Sequence, residues 1–266
     1  MKKFRGIFLK NEAEIAIMGQ AGHYVSAILD ELGKAVKPGV KTMVFEEMVL
    51  AMCHDFHVDP AFKGYLGFPF ALCCSVNEEV VHGFPGNREL KDGDIVSFDF
   101  GVVHQGFYGD SARTFAVGEV PAEVRRLLSV TERSLYEGIG MAKNQGNLLD
   151  ISLAVQKYVE SHGYSVVKRF VGHGIGRHLH EKPEVPNFVP KGSGPLTLRP
   201  GMVLAIEPMV AMGEADVEIL PDKWTAVTKD RSLSAHFEHT VVVTANGPKI
   251  LSQRDPALDN AVGESL

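Results

Sequence analysis

DIVSFDFGVVHQGFYGDSARTF, residues 94–115, reads as two strands joined by a short turn. Each strand carries one aspartate, Asp99 and Asp110, among residues that favour burial. Asp is depleted in strands, and an ionised carboxylate buried without a partner is very costly. A turn centred on His104–Gln105 would set the two aspartates directly opposite one another, with Cβ atoms about 5 Å apart. A cation between them answers the problem. The alternative at this point is structural, with Asp110 capping a turn and Asp99 paired with a core arginine such as Arg113.

Two more acids repeat the pattern. Glu207 interrupts the apolar run Met202 to Val210, and Glu238 sits between Phe237 and Val241–Val243. Four acids in four strands, with few basic residues nearby in sequence, are hard to neutralise without metal. The segment VGHGIGRHLHE adds histidines between glycines, which suits an irregular ligand loop rather than a helix. A mononuclear zinc site on His173, His178 and His180 is a second option, although no HExxH spacing is present. Four carboxylates and one neutral imidazole carry −4, which two divalent cations balance. Oxygen-rich ligation favours Mn, Fe or Co, with Zn also compatible. Such a pair, about 3.5–4 Å apart, activates water and clamps an oxyanion, as amide hydrolysis requires.

Composition sets the frame. Of the 266 residues 45% are apolar and 23% charged, which fits an ordinary globular chain. The net charge of −6 gives no footprint for nucleic acid. Cys53, Cys73 and Cys74 form no disulfide framework and point to a reducing compartment. The expectation is a cytoplasmic protein with no membrane anchor.

Working outward, Asn11 and Glu14 form a capping box for a first helix, with Gly33 as its stop. Thr42 caps a second, ending near His57. Residues 62–76 pass from an aromatic, glycine-rich loop into a buried strand. Phe62, Tyr65, Phe68 and Phe70 either anchor that loop or wall an apolar pocket. Pro121 starts a long helix, and another runs from Asp150 to His162. Strands follow at 165–172, 202–210, 224–228 and 235–244, and the proline-rich stretch 182–200 reads as a surface loop. Helices followed by strands occur twice, before and after about residue 120. The fold class is therefore α+β: one domain over residues 1–266, with pseudo-symmetric halves 1–120 and 121–266. A central, mostly antiparallel sheet carries helices on one side.

The segments NEEVVHG (77–83), DIVSFDFG with GDSARTF, GHGIGRHLHEKPEVPNF (172–188), GMVLAIEPM (201–209) and TKDRSLSAHFEHTVVVT (228–244) together resemble the type I methionine aminopeptidases. The resemblance runs from about residue 10 to 250 and implies the pita-bread fold. It implies metal ligation by Asp99, Asp110, His173, Glu207 and Glu238. Asp110 and Glu238 would bridge two metals, and Glu207 would lie beside the reactive water. His82 and His180 hold the positions of the family's two substrate-facing histidines. A methionine pocket maps to Phe62, Tyr65, Phe68, Cys73, His82, Leu179, His180 and Trp224. Phe62 and Leu179 depart from the bacterial pattern of a small Cys and a Phe. A Na or K ion near Asn77, the Glu79 carbonyl and Ser234 is also implied. The implied function is removal of methionine from nascent polypeptide N-termini when the second residue is small, by a monomer at the ribosome exit. A second enzyme reading is an Xaa-Pro aminopeptidase or prolidase, which usually carries an added N-terminal domain. A metal-free peptide-binding module of the same fold is the non-enzyme reading.

Overall fold

The computed structural model describes residues 2–253, so the last part of the expected second half, 254–266, lies outside the described residues. Four α-helices stand among the described residues: α1 (Glu12–Ala35), α2 (Met43–Asp55), α3 (Ala122–Met141) and α4 (Leu148–Ser161). Every strand pairing is antiparallel. Among the described residues the strands form five hydrogen-bonded sheets rather than one continuous sheet.

The helices begin where their caps dictate. Asn11 accepts from the Glu14 amide at 3.0 Å, and Glu14 answers at the Asn11 amide. Asn147 and Asp150 make the same box for α4, so that helix starts earlier than the apolar spacing predicted. Gly33 does not end α1, which continues to Ala35. Its reason is contact: a Cβ there would meet the Phe115 ring at 2.4 Å. Thr42 makes no capping bond, and its hydroxyl instead ties to the backbone of Gly86.

The hairpin Ile95–His104 with Phe107–Ala116 is the longest ladder. Its two turn residues, Gln105 and Gly106, both have positive φ, at 49° and 76°. That is the tight turn whose twist suits a hairpin. The turn therefore falls one residue later than predicted. Asp110 pairs with Gly101, and Asp99 pairs with Ala112. The aspartates are diagonal neighbours on one face, not directly opposite. The other face carries Phe98 and Phe100, packed with Val25, Ile28 and Leu32 of α1 and Phe45 of α2. Arg113 bonds Asp30 and Ser26 of α1 rather than Asp99. The structural alternative for Asp99 is thereby removed.

The second half repeats the scheme. Leu127 and Leu135 of α3 and Ile151 and Val155 of α4 pack with Leu204, Ile206, Val241 and Val243. Two long strands predicted here are each broken. Residues 202–210 form Val203–Ile206 and Met209–Ala211, split at Glu207–Pro208. Residues 235–244 form Ser234–His236 and His239–Thr244, split at Phe237–Glu238. Ile206 pairs with His239, and Met209 with His236. The register is the same on both sides of the break, so Glu207 and Glu238 fall at facing positions. Proline cannot donate to a ladder, which explains one side of the gap. The edge of Phe107–Ala116 covers the other side, where Ala112 O accepts from the Glu238 amide at 2.9 Å. Thr114 and Thr240 complete that seam, at His236 and Asp110. It joins the two halves.

Part of the proline-rich stretch is not loop: Glu181–Val185 pairs with Gly172–Gly174. The strand expected over 165–172 shrinks to Ser165–Val166. Ahead of it, Lys10 forms a buried ion pair with Glu181 at 2.6 Å. The same carboxylate accepts from the Arg177 amide at 2.8 Å. The N-terminus of α1 thus anchors the loop that carries His178 and His180.

Candidate metal centre

All five acid and imidazole ligands expected from the sequence line one cavity of about 220 Å³: Asp99, Asp110, His173, Glu207 and Glu238. Donor atoms of Asp110, His173 and Glu238 lie within 4.8 Å of one another. His173 Nε2 is 3.6 Å from Glu207 Oε1 and 3.9 Å from Asp110 Oδ2. The elements explain the convergence. Asp99 and Asp110 come from one hairpin face, and Glu207 and Glu238 from the paired strand breaks. His173 lies on the short strand that pairs beside Ala205.

Burial governs the electrostatics. It raises the carboxyl pKa of Asp99, with the Asp110 charge adding to it. Burial also raises Glu207, with Asp99 and Asp110 adding to it, and Glu238, with Asp110, Glu207 and Asp99 adding to it. Asp110 is pushed up to about 7 by burial, against a hydrogen bond from the Ser111 amide. Among the described residues no lysine or arginine pairs with these acids, whose basic neighbours are the imidazoles of His173 and His236. Asp99 Oδ1, Asp110 Oδ1 and Glu238 Oε1 are buried without hydrogen-bond partners. Buried polar atoms are nearly always satisfied. Three orphaned carboxylate oxygens around one point fit a bound divalent cation, and the all-oxygen set with one imidazole suits a hard or borderline metal.

The histidines are held neutral. Burial, then the neighbouring His180, lowers His173 to about 3. The same two causes lower His82 to about 4. His173 Nδ1 bonds the Gly174 carbonyl at 3.0 Å, which leaves Nε2 to face the acids. His180 stacks edge-on against His173, with centroids 4.3 Å apart, and its Nδ1 meets the Tyr65 hydroxyl at 2.7 Å. His178 does not line the cavity, so the three-histidine zinc arrangement is not assembled.

The remaining wall is the expected one. Phe62, Tyr65, Phe68, Cys73, His82, Leu179, His180 and Trp224 all line the same cavity. Phe68 meets Trp224 edge-on at 5.1 Å, and His82 lies between Phe170 and Trp224. Sequence reading missed Leu66, Val81, Phe170 and Val171, which also line it. Phe170 lay in a predicted strand and gave no sign of facing a site. Leu66 is 81% exposed at the rim, with φ of 49°. His236 was missed as well: it lies two residues before Glu238, buried, 3.6 Å from Glu207 Oε2. Asn77, Glu79 and Ser234 stand apart from the cavity. The Ser234 amide donates to the Asn77 carbonyl at 2.9 Å, while the Asn77 side chain is engaged by Asp94 and Ile95.

A family model described as "Metallopeptidase family M24" matches residues 16–245. The chain is 52% identical to a methionine aminopeptidase of Clostridium perfringens, covering 92% of this chain and 98% of the relative. It is 47% identical to methionine aminopeptidase 1 of Bacillus subtilis, covering 93% and 99%. The crystal structure of a methionine aminopeptidase from Thermotoga maritima matches with a TM-score of 0.90 at 47% identity, covering 93% of this chain and 99% of that one. The pita-bread fold expected from the sequence is the fold observed. An Xaa-Pro dipeptidase from Bacillus anthracis shares the fold at 20% identity, with a TM-score of 0.74. There the match spans 62% of the longer chain.

Proposed function

The chain belongs to metallopeptidase family M24, among its methionine aminopeptidases, and on that premise we propose how its residues divide the work. The reaction is hydrolysis of the first peptide bond of a polypeptide whose N-terminal residue is methionine and whose second residue is small. The observation that carries this reading is the pairing, in one cavity, of an acidic floor with an aromatic wall. The floor holds divalent cations and the wall holds an apolar side chain.

Asp99, Asp110, His173, Glu207 and Glu238 are the proposed ligands of two divalent ions, drawn from Mn, Fe, Co and Zn. Bound there, such ions supply Lewis acidity, lowering the pKa of water and offsetting charge on the amide oxygen. Glu207 takes the proton from the attacking water and returns it to the leaving amine. The Tyr65 hydroxyl donates to His180 Nδ1, which leaves the imidazole hydrogen on Nε2 as a donor to the developing oxyanion. His82, neutral and half in the wall, contacts the substrate amide. The methionine side chain fills the space among Phe62, Phe68, Leu179 and Trp224 and excludes water. A monovalent ion near Asn77, the Glu79 carbonyl and Ser234 is a structural tie in this reading.

The substrates are nascent N-termini, met in the cytoplasm at the ribosome exit by a monomeric, single-domain enzyme. Among the described residues no helix is long and apolar enough to cross a membrane. The test is release of the first residue from Met-Ala and Ala-Pro peptides by the metal-loaded protein. Release from Met-Ala alone is expected. Cleavage of Ala-Pro alone would assign an Xaa-Pro enzyme. Less than one metal per chain after reconstitution, with no cleavage, would assign a binding module.

A further inference from the structure

One ring beside the metal centre has no role in the reading above. His236 is 1% exposed, and its Nε2 has no hydrogen-bond partner among the described residues. Its backbone is fixed from both sides. The amide donates to Thr114 Oγ1 at 2.8 Å, and the carbonyl accepts from the same hydroxyl at 2.8 Å. Pairing with Met209 sets it two positions past Glu207 on the facing strand. Among the described residues, the carboxylate within 4.0 Å of Nε2 is Glu207, whose Oε2 lies at 3.6 Å. The other oxygen of that group, Oε1, lies 3.6 Å from His173 Nε2. One carboxylate therefore spans two imidazoles, and only one of these is a proposed ligand.

A buried donor without an acceptor is costly, and so is a buried carboxylate short of donors. Closing the gap from 3.6 Å to the usual N–H···O distance of about 2.9–3.0 Å would satisfy both at once. His236 is not among the residues that line the cavity shared by the five proposed ligands, which argues against ligation by its own ring. We propose that His236 is a positioning residue for Glu207: its Nε2–H holds Oε2, leaving Oε1, on the His173 side, as the ligand atom. The inference rests on the reading of Glu207 as a metal ligand.

The test compares His236→Leu and His236→Gln with the native full-length chain. Co²⁺ affinity is measured by calorimetry, and the Co²⁺ absorption spectrum is recorded beside it. Partners of ligating groups contribute about 10–100-fold in metal affinity. His236→Leu should lose that much and shift the spectrum, while its metal-free melting temperature does not fall. His236→Gln keeps an N–H donor and should recover affinity to within about threefold of native. A native affinity and spectrum in His236→Leu, or Gln as weak as Leu, would overturn the proposal. Should the Leu variant fail to fold, ¹⁵N resonances of the native imidazole decide with Zn²⁺ bound. A protonated Nε2 supports the proposal, and an unprotonated Nε2 sinks it. A native chain that takes up no Co²⁺ overturns the ligand reading itself, and the native titration alone reveals that.

Discussion

The cavity has two ends built by different means. The acidic end is made by ladders: Asp99 and Asp110 by a hairpin of two ten-residue strands, Glu207 and Glu238 by facing breaks in strand pairing. Backbone pairing fixes where each carboxylate points. The aromatic end is made by a loop, residues 61–72, with one non-glycine residue at positive φ and one leucine almost fully exposed. The loop's backbone bonds are mostly internal, as from the Gly64 amide to the Phe68 carbonyl, while the Ala61 amide donates to the Gly101 carbonyl at one end and Glu46 anchors the other by accepting from the Ala71 and Leu72 amides at 2.9–3.1 Å. The acids are thus placed by secondary structure and the aromatic wall by side-chain packing. Changes at the first end should abolish, and changes at the second should tune.

The largest effect tests that division directly. Asp110→Asn should cut kcat/KM by more than about 100-fold, beyond what an outer partner of a ligand costs. Elemental analysis should show both metals lost from it, and Asp99→Asn should retain one. Equal stoichiometry in the two variants would break the assignment of Asp110 as the bridge.

The next effect is on stability. Burial raises the Asp110 carboxyl from 3.8 to about 7, so the fold favours its protonated form. Its contribution is present below the ordinary value and is lost as pH rises through about 7. His173 has the opposite sign: its pKa falls from 6.5 to about 3, and its contribution is lost as pH falls through that range. The melting-point gain from saturating divalent metal should therefore grow between about pH 5 and pH 7.5. At about 100 times Kd it should reach about 5–10 °C. A gain independent of pH would remove the carboxylates from the metal site.

At the aromatic end the effects shrink. Phe62→Ala should raise KM for a Met-Ala peptide about tenfold with kcat little changed, as loss of uniform binding does. A matching fall in kcat would mean that the wall also aligns the reacting bond. Leu66→Gly should leave unfolding free energy within about 0.5 kcal/mol. Relief of the left-handed backbone, about 1 kcal/mol, is offset by the added freedom of glycine. Denaturant titration would register anything larger.

The same contrast explains what the sequence reveals. Carboxylates inside apolar runs announce themselves, because burial makes them anomalous, and from that and from the family resemblance the four acids and His173 that share the cavity were legible. Helix starts were legible at Asn11, from its capping box, and at Pro121, from the proline itself, whereas the box of Asn147 with Asp150 was missed. What escaped depends on pairing. No local signal shows that Pro208 divides one predicted strand between two ladders, or that Gln105 rather than His104 takes the first turn position. His236 escaped because a histidine in a strand is ordinary until its neighbour Glu207 is seen across the break. Gly33 misled as a stop because its cause, the Phe115 ring, lies far along the chain.

The constant register across the paired breaks bears on how this chain can lengthen and shorten. The excursion between residues 212 and 233 returns to the same ladder whatever its length, so insertions there leave Glu207 and Glu238 facing one another. A single residue added within 206–209 or 236–239 would be different. It would turn one glutamate to the opposite face and empty its corner of the cage. Variation in length among natural versions of such a chain should therefore gather in the excursion, while the two breaks keep their spacing to the residue.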